Sequence, residues 1–252
     1  MEPNAELVTL LRGARKMLIF TGAGISTHSG IPDYRGPQGV WKTRQPVYYQ
    51  DFISDQAARN EYWAQKLADH DQFAAALPNA THRAVAALEA AGRVLMVVTQ
   101  NIDGLHQRAG TSHERLVELH GTNAEVECQT CGQRSEPAPH FDAFRHSGQA
   151  PCCPCGGYLK SATISFGQSL RERDLQRADE AAGAADLVLA MGSTLAVHPA
   201  ASFPLVAAKR GVPYVIINRG ETDHDDLPVV TLRLEGDVAE LLPAAVEALG
   251  EG

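Results

Sequence analysis

The sequence has no long apolar run and comparatively few basic residues. No segment of the 252-residue chain approaches the roughly 18 uninterrupted apolar side chains expected of a membrane-spanning helix. The first residues, Met1–Leu11, lack a cationic start followed by an apolar run, so we expect no secretory signal peptide. The formal charge is −8, from 22 basic and 30 acidic residues. Because nucleic acids and anionic membranes attract clustered Lys and Arg, neither is expected as a partner.

Cysteine is missing from most of the chain, and aromatic residues are scarce. All five cysteines lie between Cys128 and Cys155. We expect a cytosolic (cytoplasmic) protein, and in that reducing compartment such a cluster favours metal binding over disulfides. Aromatic residues make up 6% of a chain that is 44% hydrophobic, so aliphatic side chains must fill most of its core.

Short apolar runs alternate with helical patterns along the chain. Five runs have the β-branched and aliphatic composition of buried strands: Met17–Thr21, Val94–Thr99, Leu187–Met191, Tyr214–Asn218 and Val229–Leu234. Ala- and Leu-rich helical patterns lie between them, at Thr81–Ala91, Leu175–Ala185 and Pro199–Lys209. This alternation predicts an α/β fold built on a doubly wound parallel sheet.

Two stretches interrupt the alternation. Residues 40–81 have helical and irregular patterns without a clear strand, and residues 123–161 hold the cysteines between turn-forming Pro and Gly. We interpret the first as a small helical insertion and the second as a small metal-binding module. The main domain then consists of residues 1–39, 82–122 and 162–252.

A glycine-rich loop follows the first predicted strand. Met17–Thr21 leads into Gly22-Ala23-Gly24, and a strand that runs into Gly-x-Gly is typical of nucleotide folds, in which the backbone approaches a pyrophosphate closely. A tight turn without a ligand is the alternative, because Thr27 stands where a third glycine is usual. Further along, Asp33 and Arg35 are expected to pair at the mouth of the site, or else to form a solvated surface ion pair.

The continuation of this loop carries a family resemblance. Gly22-Ala23-Gly24-Ile25-Ser26, followed by Gly30-Ile31-Pro32-Asp33-Tyr34-Arg35-Gly36, resembles the first signature of the sirtuins. In that family a Rossmann-like domain binds NAD and this loop covers it. The resemblance therefore implies NAD contacts at Gly22, Ala23, Gly24, Thr27, Asp33, Tyr34 and Arg35.

A second polar segment follows the strand Val94–Thr99. Polar side chains at the carboxyl end of a buried strand lie where open α/β sheets bind ligands. Asn101 or Asp103 could instead cap the helix that follows. The string Gln100-Asn101-Ile102-Asp103-Gly104-Leu105-His106 also resembles the sirtuin nicotinamide pocket. It implies NAD contacts at Gln100, Asn101, Ile102 and Asp103, with Asn101 catalytic and Ile102 near the acyl-lysine.

His120 is the candidate base among the ten histidines. A neutral imidazole can take a proton at physiological pH, although most histidines are structural or surface residues. Sirtuins have a general-base histidine in the Leu119-His120-Gly121 setting. The resemblance implies that the acyl carbonyl oxygen attacks the ribose carbon carrying nicotinamide, and that His120 deprotonates a ribose hydroxyl.

The cysteine spacing predicts a zinc site without any resemblance. Cys128-x2-Cys131 and Cys152-x2-Cys155, twenty residues apart, have the spacing of a closed, structural zinc site with four thiolates. Cys153 is the odd thiol, because a pairing through it leaves a Cys-x-Cys. Scattered free cysteines are the alternative. Sirtuins have a zinc ribbon at this place in the chain.

The remaining predicted contacts follow from the resemblance. Ile164, Phe166 and Gly167 match the sirtuin strip that pairs with the substrate backbone, whereas Gln168 departs from the pattern. Gly192, Ser193, Asn218 and Asp237 match the adenosine side of the NAD site. Succinyl-removing sirtuins carry Tyr-x-x-Arg in the helical insertion; Tyr62-x-x-Gln65 lacks the arginine, so a neutral acyl group is expected.

The resemblance covers about residues 14–240 in matching order. It implies an enzyme that uses NAD as a consumed co-substrate to deacylate, foremost deacetylate, lysines of proteins or peptides, releasing nicotinamide and O-acyl-ADP-ribose. An ADP-ribosyltransferase or NAD-cleaving enzyme on the same scaffold is an alternative, and a non-catalytic NAD-sensing protein is another. The combination of His120, Asn101 and Asp103 argues against the non-catalytic alternative.

Overall fold

Six parallel strands form the central sheet of the computed structural model, which describes residues 2–36 and 39–250. Across the sheet the strands are β3 (Leu116–Glu118), β2 (Val94–Thr99), β1 (Met17–Thr21), β7 (Leu187–Met191), β8 (Tyr214–Asn218) and β9 (Leu232–Glu235). The predicted doubly wound α/β fold is confirmed. Met1, Pro37 and Gln38, which belong to the predicted segment 1–39, lie outside the described residues.

Four of the five predicted strands have the predicted bounds, and the last one is displaced. Pairing with β8 begins only at Leu232, opposite Val215. Val230 lies in a turn instead, with its N–H donating to Leu227 O at 3.0 Å. Strand β3 was not predicted, because three residues are too few to show a periodic pattern.

Helices cover both faces of the sheet. The α-helices of the described residues are α1 (Ala5–Gly13), α2 (Tyr49–Ser54), α3 (Gln56–Ala75), α4 (Ala80–Ala90), α5 (Leu105–Arg108), α6 (Ala138–Ser147), α7 (Glu172–Ala184), α8 (Ser202–Ala208) and α9 (Val238–Gly250), and only some of them pack on the sheet. Ile19, Val97 and Leu189 point to the face packed by α1, α4 and α9, whereas Phe20 and Val98 point to the face packed by α7 and α8. Because strand side chains alternate, a five-residue apolar strand fills two cores. No helix among the described residues has the length and apolarity needed to cross a membrane.

The strand order reverses between β1 and β7. The chain leaves β1 toward β2 and β3, and later returns to the other side of β1 as β7. The connections therefore diverge there and leave a crevice at the carboxyl ends of the two strands, the usual ligand position in open α/β sheets.

The two interrupting stretches share a core. A small antiparallel sheet, in the order β5 (Arg134–Ser135), β4 (Gly121–Cys128) and β6 (Leu159–Thr163), lies with α6. Trp63 of α3 is fully buried against Phe141 and Phe144, and its Nε1–H donates to Leu159 O at 3.0 Å. Helix α3 and the small sheet thus stabilise each other. The division of the chain into domains stays a prediction.

We predict that Trp63→Ala lowers the free energy of unfolding by about 3–5 kcal/mol, because it removes a fully buried aromatic side chain and leaves Leu159 O without its donor. Denaturant unfolding measures this change. The matched control is Leu77→Ala, at a 67% exposed side chain, with an expected change within about 0.5 kcal/mol. A loss below about 1 kcal/mol for Trp63→Ala would contradict a shared core.

Candidate active site

A cavity of about 1060 Å³ opens at the carboxyl ends of the sheet strands. Most predicted site residues line it together: Gly22, Ala23, Gly24, Thr27, Asp33, Tyr34, Arg35, Gln100, Asn101, Ile102, His120, Ile164, Phe166, Gly167, Gly192, Ser193, Asn218 and Asp237. Asp103 is not among the lining residues. Segments that are distant in the chain therefore meet at one site.

Two glycine loops pack backbone against backbone at the base of the cavity. Gly22 N donates to Met191 O at 3.0 Å, and Gly24 N donates to Gly192 O at 2.8 Å. A Cβ on Gly22 would lie 2.7 Å from Gly192 O, and a Cβ on Gly24 would lie 2.8 Å from Gly192 Cα. Gly192 itself has a φ of +60°, which favours glycine. No larger residue fits these positions, so the loop of β1 can lie directly on that of β7.

A hydrogen-bonded network of polar side chains surrounds the end of β2. Gln100 Nε2 donates to Ser193 Oγ at 2.8 Å, and Asn101 Nδ2 donates to Ser26 Oγ at 3.1 Å. Ser26 Oγ in turn donates to Asp103 Oδ2 at 2.7 Å. This network orients the Gln100 and Asn101 amides at the cavity wall.

Asp103 lies behind the cavity wall. Its Oδ1 accepts a hydrogen bond from the backbone N of Leu105, the first residue of helix α5, at 2.9 Å. Burial raises the pKa of the Asp103 carboxyl, and the hydrogen bonds from Leu105 and Ser26 oppose that rise. Asp103 therefore serves the first turn of α5, although the N-cap residue is Gly104 and not Asp103 or Asn101. The NAD contact predicted for Asp103 stays a prediction.

The predicted charge pair at the mouth of the cavity is wrong. Asp33 Oδ1 accepts from Gly36 N at 2.7 Å, so the carboxylate closes its own turn. Within residues 2–36 and 39–250 no ion pair joins Asp33 to Arg35. Both side chains still line the cavity.

His120 is held in the form that a base requires. Its Nδ1 lies 3.0 Å from Gln100 O, and a carbonyl only accepts, so Nδ1 carries the proton and Nε2 keeps its lone pair. Burial lowers the pKa of His120, the hydrogen bond to Gln100 raises it, and nearby Arg35 lowers it. The imidazole is therefore neutral at physiological pH.

His120 is also tied to the predicted substrate strip. Its carbonyl accepts a hydrogen bond from Ile164 N at 2.7 Å. Phe166 contacts two more aromatic rings at the rim, with centroids 6.0 Å from Trp41 and 5.9 Å from Tyr48. The base and the strip therefore form one rigid wall of the cavity.

At the predicted adenosine end of the cavity, two side chains donate hydrogen bonds to the Asp237 carboxylate. His28 Nε2 donates to Asp237 Oδ2 at 2.7 Å, and Arg219 donates to the same oxygen at 2.5 Å. Hydrogen bonds and charges from His28, Ala239 and Arg219 lower the pKa of the Asp237 carboxyl despite partial burial. Asn218 Nδ2 donates to Gly220 O at 3.1 Å, and among residues 2–36 and 39–250 its amide oxygen accepts no hydrogen bond.

One of the four predicted zinc ligands is wrong. The sulfurs of Cys128, Cys131, Cys153 and Cys155 all lie within 4.8 Å of one another, and Cys152, which the spacing had favoured, is not among them. Cys152 forms a β-bridge with Tyr158 and is exposed. Because neighbouring residues of an extended segment point to opposite sides, Cys153 turns inward.

The four sulfurs fit a tetrahedral zinc ion. Cys128 Sγ and Cys155 Sγ are 3.6 Å apart, and Cys131 Sγ and Cys153 Sγ are 3.8 Å apart. A zinc–sulfur bond of about 2.3 Å places the sulfurs of a tetrahedral site about 3.8 Å apart. These four thiolates would hold a structural zinc and leave no position open for chemistry.

Residues 22–199 match the family model described as the Sir2 family. The chain belongs to the Sir2 family. It is 43% identical over 233 residues to NAD-dependent protein deacetylase 1 of Bradyrhizobium diazoefficiens, covering 92% of this chain and 91% of that protein. It is 40% identical to NAD-dependent protein deacetylase 2 of Streptomyces coelicolor, covering 95% and 100%.

Solved Sir2 structures share the fold. A complex described as Sir2–p53 peptide–NAD+ superimposes with a TM-score of 0.88 at 34% identity, covering 98% of this chain and 99% of that chain. A Sir2 bound to acetylated peptide gives a TM-score of 0.86 at 34% identity, covering 98% of both chains. The resemblance to the sirtuins is thereby confirmed.

In this Sir2-family chain, sequence reasoning missed three residues of the site. Ser26 orients Asn101, Trp41 packs on Phe166, and Lys66 lines the cavity from helix α3. Ser26 belongs to the first signature, Gly22–Ser26, so the sequence already indicated a place for it in the site. Trp41 and Lys66 lie in the stretch 40–81, where no local pattern marks which side chains turn inward.

We predict that Cys153→Ser loses the zinc that the wild type binds, and lowers the unfolding temperature, because a structural zinc contributes folding free energy. Metal analysis of the dialysed protein, with thermal unfolding, measures both effects. Cys152→Ser is the matched control and should keep the zinc. Loss of zinc only in Cys152→Ser would contradict the ligand set of the structure and show that Cys152 is the fourth ligand, as the spacing predicted.

Proposed function

We propose that the chain is an NAD-dependent protein-lysine deacylase, foremost a deacetylase. The proposal rests on the neutral His120, whose Nε2 has no hydrogen-bond partner in the part of the chain that the structure describes. His120 shares one cavity with the glycine loops and the Ile164–Gly167 strip. Curated relatives at 43% identity are NAD-dependent protein deacetylases, and a structural neighbour holds NAD together with a peptide. NAD is the consumed co-substrate, and acyl-lysine proteins or peptides are the partners.

Each part of NAD has residues suited to it. Gly22, Ala23 and Gly24 allow a pyrophosphate to approach the backbone without a Cβ in the way. Asn101 is oriented by Ser26 toward the nicotinamide end. Ser193, Asn218 and Asp237 offer hydroxyl, amide and carboxylate groups to the adenosine end. Thr27, Tyr34 and Arg35 belong to the loop over the cavity.

The substrate peptide adds to the strip beside β6. Tyr49 N donates to Phe166 O, and Ile164 N donates to His120 O. In the part of the chain that the structure describes, Ile164 O and Phe166 N have no hydrogen-bond partner. We expect an extended peptide to add as a strand along Ile164–Gly167, with its acyl-lysine near Ile102 and His120.

The reaction follows from these positions. The acyl carbonyl oxygen forms a bond to the ribose carbon, and the bond from that carbon to nicotinamide breaks, with nicotinamide taking the electron pair. His120 Nε2 then accepts the proton of a ribose hydroxyl, whose oxygen attacks the former carbonyl carbon. Water then adds to that carbon, and the bond from the carbon to the lysine nitrogen breaks, so that the nitrogen leaves as the free lysine amine. Acyl-lysine, NAD and one water thus become lysine, nicotinamide and O-acyl-ADP-ribose.

A cytosolic location is part of the proposal. It is supported by five free cysteines, four of them clustered as a thiolate site. Such a site persists in a reducing compartment.

We predict that His120→Ala abolishes deacetylation, with kcat/KM falling at least about 100-fold, the lower range for loss of a general base. Purified protein is mixed with NAD and an acetyl-lysine peptide, and mass spectrometry follows all products. The wild type and the exposed control His146→Ala should yield deacetylated peptide, nicotinamide and O-acetyl-ADP-ribose together. NAD cleavage without peptide turnover by the wild type would favour the transferase or NAD-cleaving alternative.

We predict that, as the pH is lowered, kcat/KM falls only at a pH below the usual pKa of histidine. Burial lowers the pKa of His120, so the neutral, active form persists to lower pH and activity is lost only as the pH falls through that lowered pKa. Deacetylation rates measured across the acidic range check this. A limb at or above the ordinary histidine pKa would mean that His120 is not the titrating base.

A further inference from the structure

A lysine is buried beside the substrate strip Ile164–Gly167 without a carboxylate to balance its charge. Lys160 of strand β6 is fully buried, and among residues 2–36 and 39–250 it forms no ion pair. A buried charge without a counter-charge is costly unless it is hydrogen-bonded. The ammonium of Lys160 donates to Thr163 O, and to Ser161 O at 3.3 Å. It therefore bonds two backbone carbonyls of its own strand.

These carbonyls lie where the pairing of the small sheet is interrupted. Val126 of β4 pairs with Ser161 of β6. The next pair joins Gly121 to Thr163, so four residues of β4 lie opposite one residue of β6. Such a bulge disrupts the ladder of backbone hydrogen bonds. The bonds from Lys160 thus hold β6 at the place where regular strand pairing holds it least.

Thr163 connects Lys160 to the substrate strip. It directly precedes Ile164, whose backbone N donates to His120 O at 2.7 Å, and it lines the cavity. Lys160 is not among the lining residues. A change at Lys160 can therefore reach a bound peptide only through the backbone of Thr163 and the strip that follows it.

Groups on three other elements act on the Lys160 ammonium. On α3, the Tyr62 ring centre lies 5.5 Å from it, and burial raises the pKa of Tyr62 to about 12, so this phenol stays neutral. Glu127 of β4 accepts a hydrogen bond at 2.9 Å from Arg171, which precedes α7. Burial lowers the pKa of Lys160 to about 7, with the charges of Lys66 and Arg171 also lowering it and that of Glu127 raising it. Ammonium and neutral amine are therefore both present near neutral pH.

We propose that Lys160 is a positioning residue for the substrate peptide, because its ammonium fixes the Thr163 carbonyl and with it the strip along which the peptide adds. This inference rests on the proposed deacylase function. Charge-assisted hydrogen bonds are roughly twice as strong as neutral ones, so the ammonium holds the strip more firmly than the amine. Peptide binding is expected to weaken as the pH rises and Lys160 loses its proton.

The test measures KM for an acetyl-lysine peptide at saturating NAD from about pH 6 to about pH 9, well below the ordinary lysine pKa. The peptide has blocked termini and no other titratable side chain, and His120 stays neutral because burial lowers its pKa. Lys160→Met removes the charge and the donors, whereas Lys160→Arg keeps a charge that does not titrate. Lys209→Met, at an exposed lysine, is the control. The kcat and the KM for NAD are measured in parallel, because an inactive fraction lowers kcat and leaves both KM values unchanged.

We expect the wild-type peptide KM to rise about threefold or more across this pH range. At its acidic end the peptide KM of Lys160→Met should exceed that of the wild type about fivefold or more, whereas that of Lys160→Arg should stay low. Neither variant should show the rise with pH, since neither side chain titrates. Lys209→Met should match the wild type, and KM for NAD should be the same in all four proteins.

A peptide KM unchanged in Lys160→Met, or one that rises together with KM for NAD, overturns the inference alone. A pH dependence that survives in Lys160→Met also contradicts it. Such a dependence would belong to another group, such as Lys66, whose pKa burial lowers to about 8. If the wild type consumes no acyl peptide, the deacylase function fails, and this inference fails with it.

Discussion

Direct backbone packing at the ends of β1 and β7 determines where the rest of the site can lie. Gly22, Gly24 and Gly192 bring the two loops to hydrogen-bonding distance, at the position where the strand order of the sheet reverses. A side chain at any of the three would separate the loops and fill the crevice. The turn after Gly24 places Ser26 against Asn101, and Gly192 places Ser193 against Gln100. The polar wall of the cavity therefore depends on three glycines, which have no side chain to keep the two loops apart.

Burial then determines the chemical state of the groups on that wall. His120 is kept neutral by desolvation and given a defined tautomer by the Gln100 carbonyl, so a potential base is present before any ligand arrives. Lys66 is treated differently, because it keeps its charge but has only an amide for a partner. One cavity thus combines a neutral proton acceptor with a cation that forms no ion pair within residues 2–36 and 39–250. The neutral acceptor suits the reaction that acyl-lysines share.

Much of the fold could be predicted from the sequence, because buried parallel strands are apolar on both faces and end at turn residues. Four strands, among them Met17–Thr21, have the predicted bounds for this reason. The Cys152 ligand was wrong because spacing counts residues and does not show that a β-bridge to Tyr158 turns this side chain outward. The expected Asp33–Arg35 pair failed in the same way, since a backbone N–H three residues on takes the carboxylate. Lys66 could not be found, because its position in the cavity depends on how α3 packs against the small sheet.

NAD and an acyl-lysine are expected to meet at His120 above the glycine loops. A crystal structure of the protein with NAD and an acetyl-lysine peptide, trapped with a slowly reacting analogue where needed, tests it most directly. We expect the pyrophosphate beside Gly22 and Gly24, the peptide along the strip Ile164–Gly167, and a ribose hydroxyl within hydrogen-bonding reach of His120 Nε2. NAD bound outside this crevice, or a ribose turned away from His120, would contradict it.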